Sequence, residues 1–272
     1  MNIPLVSIAC ITYNQEKYIT QTIEGFLCQK TTFPIEIIIH DDASTDDTPK
    51  IVEKYVKTNA DLIFPIYQQV NQFSLGNKPL TSYVLPDCRG RYIAICEGDD
   101  YWTDPYKLQK QIDFMEYHPE LSMCFTNSSI VDENNTITKV SRLDDDRKRN
   151  LSQLDIISGL VPPTNTIVMR NIGKEALEHL PTVVNGDILL SALMTENGDA
   201  GYIDEVTACY RIHDQGVWSG KSKEYQTTNY VKTYLVLLEL FRHKYEPILL
   251  RSISNGYAML LEMYKKKMRE SE

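Results

Sequence analysis

Over the first hundred residues, short apolar runs alternate with longer stretches in which apolar positions recur at three- and four-residue intervals. Residues 5–11 are apolar almost throughout, as a central strand covered on both faces must be. Thr12, Tyr13 and Asn14 end that run, and Asn14 stands where it can cap a helix whose Ile19, Ile23, Phe26 and Leu27 share one side. Residues 35–40 read as a second buried strand, and an acidic run from Asp41 to Asp47 follows it. Thr48-Pro49 opens a second helix with Ile51, Val52, Tyr55 and Val56 as its inward stripe. Residues 63–67 give a third strand, placed near an edge by Pro65. A helical stretch around 77–85 leads to a fourth strand at 92–96, which stops at Glu97, Gly98, Asp99 and Asp100.

Strand and helix alternating in this way predict a mostly parallel sheet with helices on both faces. Ligands bind at the carboxyl ends of such strands. Two separate strands end in acids, so Asp41, Asp42, Asp99 and Asp100 are expected to line one cleft although they are distant in sequence. Clustered carboxylates beside a glycine turn suit a hard divalent cation carrying a phosphorylated ligand.

The pattern then loosens. A helix is expected over 107–117, strands at 121–128 and 136–140 around an Asp132–Asn135 turn, and a short strand at 167–170. The highly charged 143–151 segment reads as a solvated loop or the start of a helix. Helices at 172–180 and 186–196 precede a last strand within 200–210, and Arg211 and His213 sit just past it. Two amphipathic runs, 230–241 and 247–264, end in Lys265-Lys266-Lys267-Met268-Arg269. A helical hairpin packed on the main domain accounts for them; a homodimer contact and a foothold on an anionic membrane are the alternatives.

Composition narrows the class. A chain of 272 residues with 42% hydrophobic and 24% charged residues is ordinary for a globular protein of one large domain, or one domain with a helical appendage. A formal net charge of -9 argues against nucleic acid as a partner, since phosphate backbones select clustered positive charge. The six cysteines are scattered without a metal-type spacing, which fits small buried side chains in a reducing cytoplasm. The start lacks the pattern of a secretion signal, and no apolar run has the ~20 residues of a membrane span. Neither a GxGxxG nor a GxSxG motif is present, which removes the usual signals for a dinucleotide site and for a hydrolase nucleophile.

Taken together, VSIACITYN, EIIIHDDASTDDT and YIAICEGDDYW, with GD before Ile188 and YRIH near the end, resemble the family 2 glycosyltransferases of GT-A fold. The resemblance covers roughly residues 4–215. It implies a Rossmann-like nucleotide-diphospho-sugar transferase: an α/β fold with a nucleotide-binding half at 1–106, an acceptor half at 107–220 and a helical extension at 221–272. The implied reaction is an inverting transfer from a nucleotide-diphosphate donor, UDP favoured, to a hydroxyl of a saccharide or lipid-linked acceptor. Cell-surface polysaccharide synthesis in the cytoplasm, at the inner face of the membrane, is the implied setting. A non-catalytic sugar-nucleotide-binding or scaffold subunit is the alternative.

By the same resemblance, Thr12, Tyr13, Asn14, Asp41, Asp42 and Asp99 bind the nucleotide, with Tyr13 stacking on the base and Asp42 accepting from it. Asp99, Asp100 and His213 hold Mn2+ or Mg2+, and Arg211 meets the diphosphate. Asp187 is the catalytic base. Trp102, Thr164, Asn165 and Trp218 stand on the acceptor side. Two departures mark this chain: Glu97 occupies the first acidic position where Asp is commoner, and Gly186 precedes Asp187 where the family often has Glu.

Overall fold

The computed structural model describes residues 3–178, 183–214, 216, 218 and 220–270. Its first half alternates β1 (Val6–Thr12), α1 (Ile19–Leu27), β2 (Ile35–Asp41), α2 (Thr48–Thr58), β3 (Ile63–Tyr67) and β4 (Tyr92–Ile95). These strands pair in parallel in the order β3-β2-β1-β4. Successive side chains on a strand point to opposite faces, and both faces here are covered. Val6, Ile8 and Cys10 of β1 meet Ile19, Ile23 and Phe26 of α1 on one side, whereas Ala9 joins Ile38 and Ile95 on the other. Pro65 lies in the outermost strand, where a missing N–H is tolerated.

Three local expectations change. Asn14 does not cap α1: it adopts a left-handed φ of 52° and the helix begins only at Ile19. The 77–85 stretch is a wide helical turn at Leu80–Val84 running into a tight one at Leu85–Asp87. The 143–151 segment is anchored rather than loose, because Leu143 and Leu151 are both buried and Leu151 bridges to Ala200.

The second half comprises β5 (Tyr101–Trp102), α3 (Lys107–Tyr117), β6 (Met123–Val131), β7 (Ile137–Lys139), α4 (Gln153–Ile157), β8 (Val168–Arg170), α5 (Lys174–Glu178), α6 (Gly186–Met194) and β9 (Ala200–Arg211). It extends the sheet as β4-β8-β6-β9-β5, with β7 beside β6. This half is mixed rather than mostly parallel: β6 and β9 are parallel, but β8 runs against both β4 and β6, and β5 against β9.

The chain ends in α7 (Lys223–Glu270), which is broken at Tyr245 (φ −133°, ψ 19°), two residues before Pro247. Lys267 pairs with Glu224, and Gly256 lies against Val231. A straight helix would hold Glu224 and Lys267 about 60 Å apart. The two arms therefore fold back as a hairpin, and Val231, Tyr234, Leu237, Phe241, Leu249 and Ile253 enter the same core as Leu189 and Leu190 of α6. No helix among the described residues is long and apolar enough to cross a membrane.

Candidate active site

The parallel half of the sheet delivers its acids to one place. Thr12 closes β1 in register with Asp41 of β2, and the next amide, of Asp42, donates to the Thr12 carbonyl at 3.0 Å. The turn after β4 is pulled against β1: Gly98 donates to the Ile11 carbonyl at 2.9 Å. A Cβ on Gly98 would sit 2.5 Å from Gln15 Oε1 and 2.8 Å from Thr12 Cβ, so only glycine permits this approach. Thr22 Oγ1 of α1 bridges the Gly98 and Asp100 carbonyls at 2.9 and 2.6 Å and fixes the turn. Two-residue β5 then pairs with Cys209 and Ala208, which brings the acids to the end of β9.

The result is a cavity of about 680 Å³ whose lining includes Thr12, Tyr13, Asn14, Asp42, Glu97, Asp99 and Asp100 from the parallel half of the sheet and its turns. Arg142, Thr164, Asp187, Tyr210, Arg211, His213 and Trp218, from later in the chain, line the same cavity. Asp42 and Asp100 open onto the same space, as their positions at strand ends require. The Asp42 carboxylate accepts from the backbone amides of Gln72 and Phe73 at 2.8 and 3.0 Å, folding the 71–77 loop over the cavity. Tyr13 stands exposed at the rim. Asp99 Oδ2 and His213 Nε2 are 3.0 Å apart, with the imidazole tilted against Tyr18. Asp100 Oδ1 accepts from the Arg211 amide at 2.8 Å.

Asp187 lies in the first turn of α6, with Thr164 Oγ1 donating to it across 3.5 Å. Burial raises its pKa above the usual carboxylate range, opposed by the Ile188 amide and the nearby Arg142 charge. Burial also pushes Glu97 up to about 8, with the charges of Asp99 and Asp187 adding to the shift. The Asp100 carboxyl is raised as well, by burial first and then by Asp99 and Glu97. Carboxylates that stay raised despite the Arg142 charge have more negative charge than their surroundings offset, which suits a cation-binding pocket. The donor set fits a divalent ion in part: Asp99 and His213 offer adjacent oxygen and nitrogen donors. No group of three or more metal-binding side chains converges among the described residues.

Four residues singled out from the sequence are placed elsewhere or turned away. The Trp102 indole is buried against Phe26 and under Lys107, and its Nε1 donates to the Asn165 carbonyl at 2.8 Å. Asn165 is buried too, its amide donating to the Cys209 carbonyl at 3.1 Å. Neither lines the cavity; together they lock β5 and β9 to the 163–167 turn. Asp41 is buried behind Asp42, with Oδ2 accepting from the Ser44 amide. Arg211 reaches the lining, but its guanidinium donates to the Asp99 and Asp132 carbonyls and to Gln21 Oε1 and stacks on Tyr18. It braces the acidic turn from behind. Arg142 and Lys78 also line the cavity and carried no signal in the sequence, because neither sits in a recognisable motif; Tyr210, the first residue of YRIH, lines it too although only Arg211 and His213 of that motif were singled out.

A parallel half-sheet with acids at its carboxyl ends, continued by a mixed half that carries a further carboxylate across the cleft, is the GT-A architecture. The model of the family described as Glycosyl transferase family 2 matches residues 7–177, and the chain belongs to that family. An uncharacterised protein of Mycobacterium tuberculosis is 38% identical over 215 residues, 78% of this chain and 60% of its own length. The chain thus spans about 60% of that relative. A UDP-Glc:alpha-D-GlcNAc-diphosphoundecaprenol beta-1,3-glucosyltransferase of Escherichia coli is 40% identical over 112 residues, 41% of each chain. Among solved structures, a mannosyltransferase of Pyrobaculum calidifontis in complex with GDP-Man and Mn2+ superposes with a TM-score of 0.64 at 16% identity. That similarity covers 96% of this chain and 76% of the other, and it bears on the fold.

Proposed function

We propose that this chain is an inverting glycosyltransferase that moves a sugar from a nucleotide-diphosphate donor, UDP favoured, to a hydroxyl of a saccharide or lipid-linked acceptor. The Escherichia coli relative, a UDP-Glc:alpha-D-GlcNAc-diphosphoundecaprenol beta-1,3-glucosyltransferase, supports a UDP-sugar donor and a lipid-linked acceptor; assembly of a cell-surface polysaccharide from the cytoplasmic face of the membrane is the setting proposed with them. The observation that carries the reading is the convergence of Asp42, Asp99, Asp100 and Asp187, distant in sequence, on the lining of a single cavity. Tyr13 and Asp42 take the nucleobase, and the Asp99–Asp100 turn takes the ribose and diphosphate. Asp99 and His213 would hold Mn2+ or Mg2+, the remaining ligands coming from diphosphate oxygens, as small hard cations commonly bind. A cation there offsets the charge that builds on the leaving diphosphate.

Asp187 accepts the proton of the attacking hydroxyl. Its raised pKa makes it a stronger base than an exposed carboxylate while the α6 amides still favour its ionised form. One carboxylate on the acceptor side suffices for inversion, because the hydroxyl attacks opposite the departing diphosphate. The test is UDP release from UDP-sugars with Mn2+, with and without candidate acceptors. Asp187→Asn is expected to lower turnover by about 10²–10⁴-fold while the thermal shift given by UDP is kept. Wild-type protein that binds UDP-sugars yet never turns them over would instead make the chain a donor-binding subunit.

A further inference from the structure

We infer that Arg142 is the residue that grips the terminal phosphate of the donor's diphosphate, the role that sequence resemblance gave to Arg211. The inference rests on the reading of the cavity as a nucleotide-diphospho-sugar site and adds to it a specific anion clamp. Three long cationic side chains line the cavity: Lys78, Arg142 and Arg211. Arg211 spends its guanidinium on two backbone carbonyls and Gln21. Lys78 lies over the Phe73 ring, beside the loop that Asp42 folds down, at the end of the cavity read as the nucleobase side. Arg142 is the one of the three whose side-chain charge acts on Glu97, Asp100 and Asp187 alike.

Its backbone is clamped from both sides. The Arg142 amide donates to the Ser128 carbonyl of β6 at 2.7 Å, and the next amide, of buried Leu143, donates to Asn127 Oδ1 at 3.1 Å. The guanidinium lies on the Tyr210 ring, 3.9 Å from its centre. Among the described residues it forms no ion pair within 4.0 Å, although Glu97, Asp100 and Asp187 all feel its charge. Stacking orients a guanidinium through its face and leaves its N–H edge able to meet two oxygens at once. A cation that shares this cavity with the Glu97–Asp100 turn and Asp187, and whose charge reaches all three buried carboxyls, is available to the diphosphate that the turn receives.

Titration calorimetry of UDP, UMP and uridine, with and without Mn2+, tests this on wild-type protein, Arg142→Met and Arg142→Lys. Arg142→Met is expected to weaken UDP by about 10- to 100-fold, the loss typical of a charge-assisted hydrogen bond, and UMP and uridine by less than about threefold. Arg142→Lys, which keeps the charge but not the fork, is expected to recover part of the UDP affinity and also serves if the Met variant does not fold. Unchanged UDP affinity in both variants, or an equal loss for all three ligands, overturns the assignment. Wild-type protein that binds none of the three overturns the donor reading itself. Wild-type protein that binds UDP no better than uridine overturns the diphosphate clamp alone.

Discussion

Glu97 is held at the mouth of the acidic turn, two residues before Asp99, in a place where burial and the neighbouring carboxylates keep its proton on. Its folded pKa of about 8 stands above the ordinary 4.5. Between those values the folded chain binds a proton that the unfolded chain has released, so stability falls as pH rises from about 4.5 and levels off above about 8. Thermal unfolding in chelator across that range is expected to show the decline in wild-type protein and a shallower one in Glu97→Gln. Equal slopes would assign the loss to Asp100 and Asp187, which shift in the same direction. The longer glutamate in place of the commoner aspartate thus gives a titratable side chain facing Asp187 as well as Asp99. At this scale much of the site was legible: Asp42, Asp99, Asp100 and Asp187 all carry their position in the local pattern of strand end or helix start. Arg142 was not, because a lone arginine before a charged loop looks like any other until Tyr210 is beneath it.

Elements are joined by a few close contacts that the chain's small residues permit. Gly98 lets the β4 turn reach β1, and Gly256 lets the second arm of α7 meet the first. A Cβ at Gly256 would lie 2.4 Å from Val231 Cγ2. Gly256→Val is therefore expected to cost about 1–3 kcal/mol of stability through overpacking. Val231→Ala in the same background should return part of that loss in chemical denaturation. A full loss unrelieved by the second change would place the strain elsewhere. Helix α4 is built from purely local chemistry: Ser152 accepts from the Asp155 amide, and Asp155 accepts in return from the Ser152 amide. That capping box ends the charged 143–151 segment, whose buried ends turn it into a fixed arm carrying Arg142 toward the cavity.

For the molecule as a whole, the hairpin of α7 completes the core rather than hanging from it. Tyr234, Leu237, Phe241 and Leu249 are almost wholly buried among residues of α4, α6 and the sheet. Removal of residues 223–272 would uncover Leu189 and Leu190 of α6, which share the core with the hairpin. The truncated chain is expected to lose soluble yield and cooperative thermal unfolding. A soluble truncation that melts like the full chain would make the hairpin an appendage with another task. The basic stretch at its end remains on the outside, with Lys266 and Lys267 exposed.

The sequence by itself determined the parallel half of the sheet and the acids at its rim, because buried runs, helix periods and strand-end polar residues are local properties that survive without a fold. It also marked Asp187 and His213 through family resemblance. Only the tertiary structure decided the direction of β8, the burial of Trp102 and Asn165, the inward turn of Arg211 and the outward reach of Arg142. Each of these depends on which backbone carbonyl or ring lies across a gap of many residues. A guanidinium is committed when carbonyls meet it and remains available when a tyrosine face does, and neither circumstance is written in the spacing of the chain.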